Sequence, residues 1–270
     1  MTTNLLAMNH INLGDFFQLY KQLKPASVNL ALSDLPFGLF DDGRLNGVPD
    51  SKIDLSRLEE AMDYLLTPTG QAVLFCDFDL LTRIKFQWGE RIKYKHHHVL
   101  IKSAAMPGSK FYPLNDVEYL AVCHRTGSKI SDLVFNSYNG DKREAYRKKN
   151  YDLDECKLRR QYKPKFNHNE SGCRYIRTTI PMRSKCNLPE AERAGVDHPF
   201  QKSIQLLRKL IRIFSNPGEF ICDGFAGSGS TLIAADMEGR KSVGFEIDDQ
   251  YYFEALGRLE RFKCAITLPF

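Results

Sequence analysis

The sequence predicts an α/β fold built on a mostly parallel mixed sheet with helices on both faces. Three observations carry that expectation. Short β-branched or apolar runs alternate with stretches of helical spacing along most of the 270 residues, the pattern of strands joined by crossover helices. Two loop motifs, Asp34-Leu35-Pro36-Phe37-Gly38 and Phe225-Ala226-Gly227-Ser228-Gly229, each follow such a run. The alternation is interrupted once, between residues 125 and 197, where Lys, Arg, Tyr and Asn accumulate and periodicity is lost.

In order, Ile11-Asn12-Leu13 reads as a short strand ending at Gly14-Asp15, and a helical stretch follows over 16–24. Ser27 to Leu32 reads as a buried strand that stops at Ser33-Asp34, and 41–50 as a loop. Apolar residues at 55, 58, 61, 62, 65 and 66 recur at helical spacing. Pro68-Thr69-Gly70 is expected to break that helix, and Gln71 to Cys76 to form a further buried strand. Strands are expected at 97–101 and 117–123. Regularity returns with an amphipathic helix over 201–214, stopped by Asn216-Pro217-Gly218. A strand at 219–222, a helix at 228–238, a strand at 241–245 and a final helix at 248–262 complete the pattern.

With 43% hydrophobic residues and a mean hydropathy of −0.38, the composition supports a packed core. No apolar run approaches the ~20 residues that span a bilayer, and the first residues lack the build of a secretory signal. Seven cysteines without a C-x-x-C pair suit reduced thiols in a cytoplasm. Residues 142–185 hold 14 Lys+Arg against 5 Asp+Glu, a net of +9 that leaves −4 for the rest. A basic block on a mildly acidic body is the footprint of a polyanion-binding insert or of a solvated charged face. His96-His97-His98 would alternate across a strand, so no three-histidine site is expected. Cys156, His168, Cys173 and Cys186 fit no zinc ribbon or finger spacing. No metal is expected.

The Phe225 to Gly229 loop lies between a strand and a helix, where glycine permits positive φ and close approach of a ligand to the backbone. The helix start adds unpaired N–H groups. Glu246 ends the next strand, where an acid suits paired ribose hydroxyls. A tight turn without ligand and a dinucleotide site are alternatives. Leu232, however, stands where the third glycine of G-x-G-x-x-G would be, which suits S-adenosylmethionine better than a pyrophosphate cofactor.

These residues carry a resemblance. His198, Pro199, Gln201 and Lys202, then Asp223, Phe225, Gly227, Ser228, Gly229 and Thr231, then Gly244 and Glu246 match H-P-x-Q-K, D-P-F-x-G-S-G-T-T and G-x-E-x-x of the beta-class DNA amino-methyltransferases. Asp34-Leu35-Pro36-Phe37 resembles that family's D-P-P-[YFW] motif. Ile101-Lys102, Met106-Pro107 and Asn115 to Leu120 resemble its W-x-K…P…H-E-x-x-L segment, with Trp and His lost. The resemblance covers roughly 10–123 and 197–262. It implies a Rossmann-like S-adenosylmethionine-dependent methyltransferase fold of circularly permuted motif order, with the catalytic half in 1–124 and the cofactor half in 198–270. Residues 125–197 would be the inserted target-recognition region that meets double-stranded DNA. It further implies that Lys202 and the loop Asp223, Phe225, Ala226, Gly227, Ser228 and Gly229 hold the methionine part of the cofactor, Glu246 its ribose and Asp15 its adenine amino group. Gly224 replaces the usual Pro and is expected to loosen the loop.

In the catalytic turn, the resemblance implies that Asp34 supplies a carboxylate, Leu35 a backbone carbonyl, Pro36 stiffness and Phe37 a stacking ring. The chemistry fits. An exocyclic amine conjugated to a base ring is a poor nucleophile, and accepting both its N–H bonds pushes nitrogen towards a tetrahedral form. The base must be turned out of the duplex to be reached, and stacking on an aromatic ring contributes on the order of 1–3 kcal/mol. The expected activity is methylation of adenine N6, because Asp in the first position is commoner among adenine enzymes. N4 of cytosine, an RNA or protein amide substrate, and a non-catalytic DNA-binding relative remain alternatives. The resemblance places the protein in a prokaryotic or phage-infected cytoplasm, and homodimers are frequent among relatives.

Overall fold

A computed structural model describes residues 6, 8–36, 44–45, 48–49, 52–106, 113–136, 176–193, 195 and 198–267. The chain opens with β1 (His10–Leu13), α1 (Phe16–Leu19) and β2 (Val28–Asp34). The short strands β3 (Arg44–Leu45) and β4 (Val48–Pro49) pair with each other. Then come α2 (Leu55–Leu65), β5 (Leu66–Cys76), α3 (Phe78–Gln87), β6 (Ile92–Met106) and β7 (Asn115–Arg125). After β8 (Thr179–Met182) and α4 (Glu190–Arg193) follow α5 (Ile204–Phe214), β9 (Phe220–Asp223), α6 (Ser230–Met237), β10 (Lys241–Glu246) and α7 (Asp249–Thr267).

Eight strands form one sheet in the order β1-β10-β9-β2-β5-β7-β6-β8. β1 to β5 in that order run parallel, β7 is antiparallel to both its neighbours, and β8 is parallel to β6. The expected mostly parallel mixed sheet is present. Strand alternation divides the core into two layers. Ala31, Ala72, Leu74, Ala121 and Cys123 face α1, α2 and α3, while Leu30, Leu32, Val73, Phe75, Leu120 and Val122 face α5 and α6. α7 packs Ala255 and Leu259 on Ile11, Leu232 and Ile233.

Two local expectations are corrected. Pro68-Thr69-Gly70 does not break the chain between helix and strand. β5 begins at Leu66, and the Pro and Gly are absorbed where the pairing with β2 shifts register between Val28 and Leu30. The 16–24 stretch is one α turn followed by a 3-10 turn over Tyr20–Gln22. α3 was not expected. It starts because the Asp77 carboxylate accepts from Leu80 N, and it buries Leu80, Leu81 and Ile84. Residues 179–182, within the stretch read as an insert, supply the edge strand of the main sheet. Among the described residues no helix is long and apolar enough to cross a membrane.

What positions the site is the place where the strand order reverses. From β9 the chain passes through α6 to β10 on one side, and from β2 through α2 to β5 on the other. β9 and β2 are direct neighbours, Leu30 opposite Ile221 and Ala31 opposite Cys222. The strands ending at Asp34 and Asp223 therefore open into one crevice, the usual ligand position in such sheets.

Ile211 is fully buried in the layer that carries α5 against the sheet. Ile211→Ala is expected to destabilise the fold by ~2–5 kcal/mol in urea unfolding.

Candidate active site

The cleft at this switch point is lined by Asp34, His198, Gln201, Lys202, Asp223 and the Phe225 to Ser228 loop, with Ser230 and Thr231 behind. The two loops that line it are tied to each other. Ser33 Oγ accepts from Gly224 N at 2.9 Å, and its hydroxyl also bonds the Asp223 carboxylate. Proline has no N–H to donate there, so Gly224 makes a bond that the usual residue could not. Leu35 is buried, and its N–H reaches Phe75 O at 3.4 Å, fixing the turn after β2 to the end of β5.

The Gly-rich loop needs its glycines. Gly227 has φ +48°, and a Cβ there would come within 3.0 Å of His198 Nε2. Gly229, at φ +72°, is the residue before α6, and a Cβ there would meet Ile11 Cδ1 at 2.9 Å. Both angles lie in the left-handed region that L side chains seldom adopt. α6 begins without a side-chain cap, and its first residues, Ser230 and Thr231, line the cleft at the positive end of the helix dipole. Glu246 accepts from Gly227 N at 2.7 Å and from Asp248 N at 2.9 Å. Burial raises its carboxyl, and those backbone bonds oppose the rise. Asp15 caps α1 by accepting from Phe17 N at 2.9 Å. It follows Gly14, whose N–H bonds Glu246 O at 2.7 Å, so Asp15 and Glu246 lie at adjacent strand ends.

Asp34 carries the most unusual environment. Its Oδ2 lies 3.0 Å from Lys202 Nζ, while its Oδ1 is buried and has no hydrogen-bond partner among the described residues. Burial pushes its carboxyl up to about 7; Lys202 opposes the rise, and Glu118 and Asp223 add to it. Lys202 also lies 2.7 Å from Glu118 Oε1 on β7. Burial alone would lower the Lys202 ammonium, but the two carboxylates outweigh it and hold the group charged. Burial pushes Asp223 up to about 6 against bonds from Thr231, Phe225 and Ser33. His198 is pushed down to about 4 by burial and by Lys202, which leaves it neutral, with its ring on Tyr251 at 4.7 Å.

Of the residues read from the sequence, Asp34, Lys202, Asp223 and the 225–229 loop converge, with Asp15 and Glu246 at the adjoining strand ends. Phe37 lies outside the described residues, as do Cys156, His168, Cys173 and most of the basic block. His96 and His98 share one strand face, Nε2 atoms 3.3 Å apart, and His97 bonds Tyr94 on the other. No cluster of three metal-ligating side chains occurs among the described residues.

Two further residues bear on the site: Glu118, which the sequence offered only within the H-E-x-x-L resemblance and without a role, and Arg258, which it did not single out. Glu118 sits in alternation with Leu120 and Val122, so its carboxylate falls on a buried sheet face. Arg258, nearly buried on α7, donates to Ser228 O at 2.9 Å, Ser230 Oγ at 2.7 Å and Glu192 O at 3.3 Å. It thereby joins the Gly-rich loop to α4. A charge flanked by apolar residues at buried spacing was the available signal for both.

A family model described as DNA methylase, covering N6 and N4 enzymes, matches residues 28–256. The chain belongs to this DNA methylase family. It is similar to the DNA adenine methyltransferase YhdJ of Escherichia coli, 44% identical over 64 residues, which cover 24% of this chain and 22% of that protein. The matched segments span about a quarter of the length of such relatives. Among solved structures, M1.HpyAVI in complex with SAM covers 92% of this chain and 98% of its own, at 22% identity and TM-score 0.61. The cytosine-N4-specific PvuII DNA methyltransferase covers 94% and 89%, at 14% identity and TM-score 0.65. Both show the fold that the sequence predicts.

Arg258→Met leaves Ser228 O and Ser230 Oγ without their charged donor. The variant is expected to lose ~1–3 kcal/mol of stability and to raise the KM for the cofactor more than it lowers kcat.

Proposed function

We propose that this protein transfers a methyl group from S-adenosylmethionine to N6 of an adenine turned out of double-stranded DNA. The observation that carries the reading is the Asp34 carboxylate. One oxygen is held by Lys202 and the other is buried and unpaired, at the mouth of a cleft backed by a glycine loop and a helix start. An orphaned buried acceptor is costly unless a donor arrives, and an exocyclic amine supplies such a donor.

The residues present fit the cofactor. Glu246 retains lone pairs for ribose hydroxyls beyond the two backbone bonds it accepts. Gly227 and Gly229 leave two positions of the loop without side chains, and Asp15 lies at the strand end beside Glu246, where an adenine amino group would need an acceptor. When bound, the cofactor supplies an electrophilic methyl group on a sulfonium. Asp34 accepts one N–H of the target amine and the Leu35 carbonyl the other, which frees the nitrogen lone pair for in-line attack. The N–C bond would form as the S–C bond breaks, the departing thioether keeping that electron pair, and the methylated amine would pass one proton to the Asp34 carboxylate that accepts its N–H. Phe37 stacks on the base, and the basic stretch 142–185 contacts the phosphates.

A second reading, methylation of cytosine N4, is favoured by the likeness to the PvuII enzyme. Labelled-methyl transfer to unmodified DNA, followed by nucleoside digestion, separates the two. N6-methyladenine is the expected product, N4-methylcytosine would replace the first reading with the second, and label in RNA or protein alone would discard both. Asp34→Ala is expected to lower the transfer rate by at least ~100-fold while retaining cofactor binding. Transfer at the wild-type rate would remove Asp34 from the mechanism.

A further inference from the structure

Two carboxylates share one ammonium at the mouth of the cleft. Lys202 Nζ lies 3.0 Å from Asp34 Oδ2 and 2.7 Å from Glu118 Oε1, and 5.0 Å from the centre of the Phe75 ring. The Lys202 and Glu118 side chains are only 12% and 10% exposed. A carboxylate on an apolar strand face is expensive to keep buried, and Glu118 stands there as a counter-ion of the buried Lys202. What it does is give the Lys202 ammonium a second carboxylate, at 2.7 Å, besides that of Asp34. Lys202 then engages Oδ2, and Oδ1 of Asp34 is left without a hydrogen-bond partner among the described residues.

We propose that Glu118 is a positioning residue, anchoring Lys202 so that Lys202 fixes both the orientation and the ionisation of Asp34 towards the amine to be methylated. The inference rests on the reading of Asp34 as the amine acceptor. It also gives Lys202 a different duty from the one implied by resemblance, which assigns it to the methionine part of the cofactor.

The charges facing Asp34 are Lys202 from the segment before α5, Glu118 from β7 and Asp223 from the end of β9, with the Cys76 thiol on β5 nearby. Lys102 on β6 lies within electrostatic reach of Glu118, Lys202 and Asp116. With Asp34 and Glu118 ionised, the triad carries one negative charge in excess. The target nitrogen gains positive charge as its bond to the methyl carbon forms, and the excess lies where that charge develops. The excess also makes Asp34 easy to protonate, because burial raises its carboxyl and Glu118 and Asp223 add to the rise.

The signs follow. Asp34 must be ionised to accept the amine, so the transfer rate rises with pH through its titration. Glu118→Gln removes a like charge and leaves Lys202 to pair with Asp34 alone, so this acid limb moves to lower pH. Lys202→Met removes the opposite charge, so the limb moves to higher pH.

The test is single-turnover methyl transfer to unmodified DNA across pH, with calorimetric titration of S-adenosylmethionine into the DNA-free protein. Expected shifts of the acid limb are about one pH unit down for Glu118→Gln and one or more up for Lys202→Met, with cofactor affinity near that of the wild type in both. Acid limbs that do not move, or a cofactor affinity at least tenfold weaker in Lys202→Met, would overturn the inference. Should Lys202→Met fail to fold, the near-isosteric Glu118→Gln decides alone. An active Asp34→Ala would overturn the proposed function itself; an inactive Asp34→Ala with an unmoved limb in Glu118→Gln would overturn only the role of Glu118.

Discussion

The buried ion triad of Asp34, Lys202 and Glu118 joins three parts of the chain that are distant in sequence. Asp34 ends β2, Glu118 lies on β7 and Lys202 leads into α5. Charges so far from water persist only when each is paired, so the sheet must bring β2 and β7 to fixed places on either side of β5. Phe75 of β5 supplies the floor beneath the ammonium. The packing of α5, through Leu206, Leu207, Leu210 and Ile211, holds the lysine segment over that floor.

The second half of the site depends on the first through Ser33. That hydroxyl sits one residue before Asp34 and bonds Gly224 N and the Asp223 carboxylate, so the end of β2 and the Gly-rich loop share a partner. Beyond the loop, Glu246 holds Gly227, and Arg258 holds Ser228 and Ser230. Arg258 and Gln201 both bond Glu192 O, so the short helix at the end of the basic stretch rests on the cofactor loop. The segment that leads into α5, α4 and the Gly-rich loop are thus parts of one hydrogen-bonded body.

Much of this was legible in the sequence because it is local. Strand ends at Asp34 and Asp223, the glycine loop and the acid at Glu246 are each announced by their immediate neighbours, and parallel pairing at a switch point then brings them together. The partners of these residues were not legible. Glu118 takes its meaning from Lys202, and Arg258 from carbonyls on a different helix start, contacts that no short window of sequence contains. α3 was missed because a single capping aspartate, Asp77, decides its start. The Pro68 to Gly70 break was misread because pairing with β2 carries the strand through residues that locally signal a turn.

The central claim is that Asp34 is a carboxylate poised near neutrality by burial and by its shared lysine. Carboxyl-carbon NMR titration of the DNA-free protein, assigned by comparison with Asp34→Asn, measures this directly. The account predicts a midpoint near 7 for Asp34. A midpoint near the ordinary aspartate value of about 4 would contradict it.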